Sequence, residues 1–109
     1  MPYVPPPIPP EQLREAIRDL TGILRAMYLA GRDDTSSCRA AVVTAGKRLN
    51  ELAALVDQPE TEAYNAAMRA ADEAVNEVFG TMHFNASLAP VLGHAAGRVL
   101  ASRRRIASR

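Results

Sequence analysis

The 109-residue chain has no tryptophan, one cysteine and two histidines. With Cys38 alone no intramolecular disulfide can form, which fits a reducing compartment and excludes a disulfide-stapled scaffold. Residues 1–10 have neither a basic start nor an apolar run of signal-peptide length, so no secretion signal is expected. The least polar stretch, residues 86–101, is 16 residues long and includes Pro90, His94 and Arg98. A bilayer span needs about 20 apolar residues, so no membrane segment is expected and a cytoplasmic location is. No stretch alternates apolar and polar residues as a half-buried strand does, and no internal repeat exceeds the helical period. No acid follows Glu77.

What is present is a globular composition, with 48% hydrophobic and 23% charged residues in 11.8 kDa. One domain is expected, burying roughly 65% of the unfolded chain's surface. The bases are 12 Arg and one Lys, and Ala occurs 20 times, a bias expected of a GC-rich bacterial, phage or plasmid genome. The net charge of +1 is unevenly placed. Residues 1–80 carry 8 bases and 12 acids, whereas residues 81–109 carry 5 Arg and no acid.

Pro2, Pro5, Pro6, Pro7, Pro9 and Pro10 fix φ and remove donors, which predicts an extended arm over residues 1–10. Such an arm serves as a strut or as a ligand for aromatic-lined grooves. A first helix is expected over residues 10–30, with Leu13, Ile17, Leu20, Leu24 and Met27 as its apolar stripe. Ile23 and Tyr28 widen that stripe, and Gly31 is a natural stop. Ser36 or Ser37 can cap a second helix whose stripe is Cys38, Val42, Ala45, Leu49, Leu52 and Val56. The string Asp57-Gln58-Pro59-Glu60 is expected to end that helix and open the next. In this reading Asp57 caps, Pro59 lies in the first turn and Glu60 completes a capping box.

The third helix carries Tyr64, Ala67 or Met68, Ala71, Val75, Val78 and Met82, and frays near Gly80. Phe79 and Phe84 anchor its exit. Asn85 or Ser87 caps a fourth helix with the stripe Leu88, Leu92, Ala95 and Val99, ending at about residues 102–105. Four helices with short connections predict an all-α, up-down four-helix bundle over residues 11–102, with a basic tail at 103–109. If residues 80–87 stay helical, the alternative is three helices, the last one long. Ala41, Ala45, Gly46, Ala67 and Ala71 are expected to let helices approach closely, yet they bury little area each.

The fourth helix is the first functional candidate. Between residues 86 and 101 only His94 and Arg98 can carry charge, a narrower polar face than a surface helix needs. Gly93 and Gly97 each cost about 1 kcal/mol relative to alanine, which asks for a packing reason. Either this helix is central to the fold, or it forms a homodimer or partner interface through Leu88, Val91, Leu92, Gly93, Gly97 and Leu100, with Arg98 at the rim. The second candidate is basic: Arg98, Arg103, Arg104, Arg105 and Arg109 can contact phosphates, or simply stand as solvated charge at a helix C-terminus. No aromatic is interleaved with them for base stacking.

Other features point to ordinary structure. Cys38 lies in a first helical turn, where a dipole can lower a thiol pKa, but it also lies on the apolar stripe as a small core residue. Asp72, Glu73 and Glu77 read as a solvated acidic face, and Asp33-Asp34 as loop acids. No Glu-x-x-His pair occurs, so a ferritin-like metal site has no support. Histidine phosphotransfer domains show His-x-x-Lys-Gly on a helix. The string Gly93-His94-Ala95-Ala96-Gly97-Arg98 does not match it. Thr44-Ala45-Gly46-Lys47-Arg48 lacks the upstream glycine and following Ser or Thr of a phosphate loop. Secreted helical hairpins with a Trp-x-Gly turn are excluded by the missing tryptophan.

No nucleophile, base and orienting group can be assembled from these residues. The expectation is a protein without cofactor, metal or catalysis, acting as a small adaptor, inhibitor or accessory factor through protein–protein contact. The alternative is a nucleic-acid accessory protein that uses the C-terminal arginines.

Overall fold

The computed structural model describes residues 9–29, 36–58, 61–81 and 89–107, with side chains as far as Leu100. Four helices result: α1 (Pro10–Leu29), α2 (Ser36–Ala53), α3 (Glu62–Thr81) and α4 (Ala89–Ala107). There is no strand among the described residues. Because α3 ends at Thr81 and α4 opens at Ala89, the chain is not three helices with one long arm. Expectations for residues 1–8, the loop with Gly31, Met82, His83, Phe84, Asn85 and Ser87 lie outside the described residues.

The helix starts follow local chemistry. The Pro9 carbonyl accepts the Leu13 N–H at 3.1 Å, so Pro10 takes the first helical position, where a missing donor costs nothing. Helix α3 starts later than the sequence suggested. Thr61, not Asp57, is its cap: the Thr61 Oγ1 accepts the Tyr64 N–H at 3.1 Å and its carbonyl accepts the Asn65 N–H at 3.0 Å. Asp57 instead pairs with Arg14. The cause is the end of α2, which tightens into three-residue turns, with Leu55 donating to Leu52 and Gln58 to Leu55, each at 2.9 Å. Gln58 precedes a proline, which disfavours a helical conformation there and delays the next helix. At its far end, α3 closes with Thr81 Oγ1 donating to the Glu77 carbonyl at 2.9 Å.

Among the described residues each helix packs on two neighbours: α1 on α2 and α4, and α3 on α2 and α4. Among the described residues no Cα atoms of the diagonal pairs come within 8 Å. Tyr28 at the end of α1 lies against Arg39 at the start of α2, and Arg14 at the start of α1 pairs with Asp57 just past the end of α2. The two helices are therefore antiparallel, as an up-down bundle requires. The tightest seam is α2–α3 and the thinnest is α3–α4.

The core is built from the anticipated stripes. Leu13, Ile17, Leu20, Leu24 and Met27 from α1 meet Cys38, Val42, Ala45, Leu49, Leu52 and Val56 from the α2 segment. Met68, Ala71, Val75 and Val78 enter from α3, and Leu92, Ala95, Ala96, Val99 and Leu100 from α4. Val56 stays in the core although its backbone has left the helix. Among the described residues no buried side-chain nitrogen or oxygen lacks a partner, so the core carries no polar penalty. No helix among them is long and apolar enough to cross a membrane.

Candidate functional site

The sequence directed attention to α4, and the structure divides that surface. Leu92 and Leu100 are fully buried in the bundle's own core and offer nothing to a partner. For these two residues the interface reading is corrected in favour of the central-helix reading, because α4 meets both α1 and α3. Val91 remains exposed, while Gly93 and Gly97 are half-buried. A Cβ on Gly93 would meet the Phe79 ring at 3.9 Å, so Gly93 receives an intramolecular neighbour rather than a close-packed helix backbone. Nothing lies within 4 Å of a Cβ built at Gly97. Leu88 lies outside the described residues.

Arg98 is tied down. Its Nη1 donates to Asp19 Oδ2 at 2.7 Å, joining α4 to α1. Both side chains are partly exposed, so the pair contributes about 0–1 kcal/mol. The backbone of α4 continues through Arg103, Arg104 and Arg105 to Ala107, past the expected end. Expectations for the side chains of these three arginines, and for Arg109, lie outside the described residues.

A further open feature lies between α1 and α2. It is a trough of about 950 Å³. Leu24 and Val42 lie at its floor, and Tyr28 and Val43 stand exposed in its wall. Arg18 and Arg25 from α1 and Lys47 from α2 supply cations, with Thr21, Asn50 and Glu51 as polar neighbours. Glu51 accepts from Arg48 at 3.2 Å. Arg18, Arg25 and Lys47 join neither that pair nor the Arg14–Asp57 and Arg98–Asp19 pairs.

Two glycines keep the trough open. Gly22 and Gly46 both line it, and nothing lies within 4 Å of a Cβ built at either. The Tyr28–Arg39 and Arg14–Asp57 contacts set a register in which Gly22 falls near the level of Gly46. The expectation that Gly46 allows close helix approach is thus corrected: the space beside it is empty. Each glycine weakens its helix by about 1 kcal/mol relative to alanine, without an intramolecular packing gain. Sequence reasoning missed this site because it judged Gly46 as a close-packing residue and Gly46-Lys47 as a failed phosphate loop. The available signal was a glycine on the polar side of each of two consecutive amphipathic helices.

The remaining candidates hold less. A smaller cavity of about 330 Å³ between α2 and α3 is lined by Ser37, Ala40, Ala41, Thr44, Ala74 and Glu77. Cys38 is 1% exposed and forms part of the core. Among the described residues no three His, Cys, Asp or Glu side chains gather where they could hold a metal ion. No protein-family model, curated protein or solved structure matches the chain.

Proposed function

We propose that this is a non-catalytic interaction protein, an adaptor, inhibitor or accessory factor that binds another protein by helix-face docking. One observation carries the reading. Two of the four exposed large hydrophobics among the described residues, Tyr28 and Val43, line the same trough as three cations. Apolar anchors beside a charged rim are the parts of a docking surface, the first supplying affinity and the second register. This moves the docking surface from α4 to the α1–α2 side. A cytoplasmic setting fits the buried lone thiol, and a bacterial or phage source fits the arginine- and alanine-rich composition.

A second reading is favoured by the length of α4, which carries Arg98, Arg103, Arg104 and Arg105 on one element. There the partner is a nucleic acid and affinity falls steeply with salt. The two readings separate in a pull-down from a lysate of the source cells, with and without nuclease. The full chain is compared with a variant in which Arg103, Arg104, Arg105 and Arg109 become Gln, which keeps α4 whole. A defined protein recovered equally in all four arms is the expected result. Nucleic acid recovered only with the arginines intact overturns it.

A further inference from the structure

The strongest remaining feature is the pairing of an empty groove with a sign of charge. The trough is bordered by Arg18, Arg25 and Lys47, against one acid, Glu51, that is already engaged by Arg48. Helices α1 and α2, which form it, carry six bases and four acids, whereas α3 carries one base and four acids. The cations therefore belong to the basic side of the bundle, away from the acidic α3. Arg18 and Arg25 stand seven residues apart on α1, about 10 Å along the axis at 1.5 Å per residue. Two turns of a guest helix span the same distance.

The empty space beside Gly22 and Gly46 sets the guest's thickness. With no atom beyond the glycine's own helical neighbourhood within 4 Å of either missing Cβ, small and medium apolar side chains can enter between α1 and α2. Tyr28 and Val43 offer them apolar area at one end. A nucleic acid would place phosphates on this apolar wall and gain little from it.

We infer that the α1–α2 trough seats an amphipathic helix of a partner protein, its apolar stripe over Gly22 and Gly46 and its flanking Asp or Glu side chains on Arg18, Arg25 and Lys47. This rests on the interaction reading above and names the site and the partner's chemistry. It follows that filling the trough blocks the partner. Gly46→Leu should abolish binding without unfolding the bundle, because the added side chain enters open space. Replacing Arg18, Arg25 and Lys47 by Glu should weaken binding about tenfold or more, since a like-charged rim repels the same guest.

The test uses photo-crosslinking from two positions of the full chain. A benzophenone side chain replaces Val43 in the trough or, separately, Val91 on exposed α4. Each protein is irradiated in a lysate of the source cells, and the crosslinked peptides are sequenced. The inference expects Val43 adducts on an acidic amphipathic helix of another protein, with binding of a synthetic peptide of that segment lost on Gly46→Leu. Circular dichroism checks that this variant stays folded. Protein adducts at Val91 but not at Val43 overturn the trough and leave the interaction reading standing. No protein adduct at either position overturns both. Val43 adducts on nucleic acid, a basic segment, a second copy of this chain or its own residues 1–8, which carry no acid, also overturn the inference.

Discussion

Toward α3, helix α2 presents Ala41 and Thr44 to a cavity of about 330 Å³. Toward α1 the same helix presents Val43, Gly46 and Lys47, and the gap is about 950 Å³. The chemistry of the small residues explains the contrast. A buried alanine fills its place with a methyl group and leaves room for a second helix to pack close; Ala45 and Ala71 are both fully buried. A helical glycine with empty space beside it does neither; it weakens its own helix and leaves a vacancy. Along α2 the small residue in the core is an alanine, Ala45, and the next one, beside open space, is a glycine, Gly46. The α1–α2 pair also carries three of the four exposed large hydrophobics among the described residues, Tyr28, Leu29 and Val43.

That contrast can be broken with neighbouring positions on one helix. Ala45 is fully buried, so Ala45→Leu forces extra atoms into a packed core and should cost about 1–3 kcal/mol. Gly46→Leu adds a similar volume one residue later, where nothing lies within 4 Å of the new Cβ. It should leave stability unchanged or raise it by up to about 1 kcal/mol through helix propensity. Urea denaturation of the two variants measures both. Equal destabilisation would mean that the trough is filled in solution and that the two sides of α2 do not differ.

A smaller effect sharpens the same comparison. Gly22→Ala should stabilise by about 1 kcal/mol and raise the Tm by roughly 4 °C, because the methyl group meets no neighbour and α1 gains a better helix former. Gly93→Ala should gain less, since its Cβ comes within 3.9 Å of the Phe79 ring. Calorimetry of the pair tests whether glycine in this chain is retained for an internal fit or despite an internal cost.

Much of the architecture was legible before any coordinates. The 4-3 spacing of Leu13, Ile17, Leu20, Leu24 and Met27 is a statement about one helix, and burial obeyed it. Periodicity has less to say about ends. Asp57 has the right chemistry for a cap, but Pro59 holds the preceding residue out of the helix, and the role passed to Thr61. It has least to say about sites made between helices. Leu100 looked like the flank of a free surface because its burial depends on where α1 and α3 lie against α4. The trough needs Gly22 and Gly46 to arrive near one level, and that depends on the register of two antiparallel helices. No spacing within either helix states that register.

The α1–α4 side supplies the smallest and most specific prediction. Arg98 and Asp19 meet at 2.7 Å, with side chains 41% and 49% exposed, so water screens the pair. Removing either partner alone should therefore cost little. A double-mutant cycle of Arg98→Gln and Asp19→Asn should give a coupling of about 0.2–1 kcal/mol that fades at high salt. The size of that coupling bears on function as well as on stability. If Arg98 is held by Asp19, it is less available to a phosphate than an unengaged arginine would be. A nucleic-acid partner would have to displace the carboxylate first, and Asp19→Asn should then strengthen its binding. A cation in the trough, such as Arg25, has no such tether to the ion pairs described above, and its removal should act on binding while leaving stability nearly unchanged. Measured together, the two arginines separate charge that holds the bundle together from charge that faces a guest.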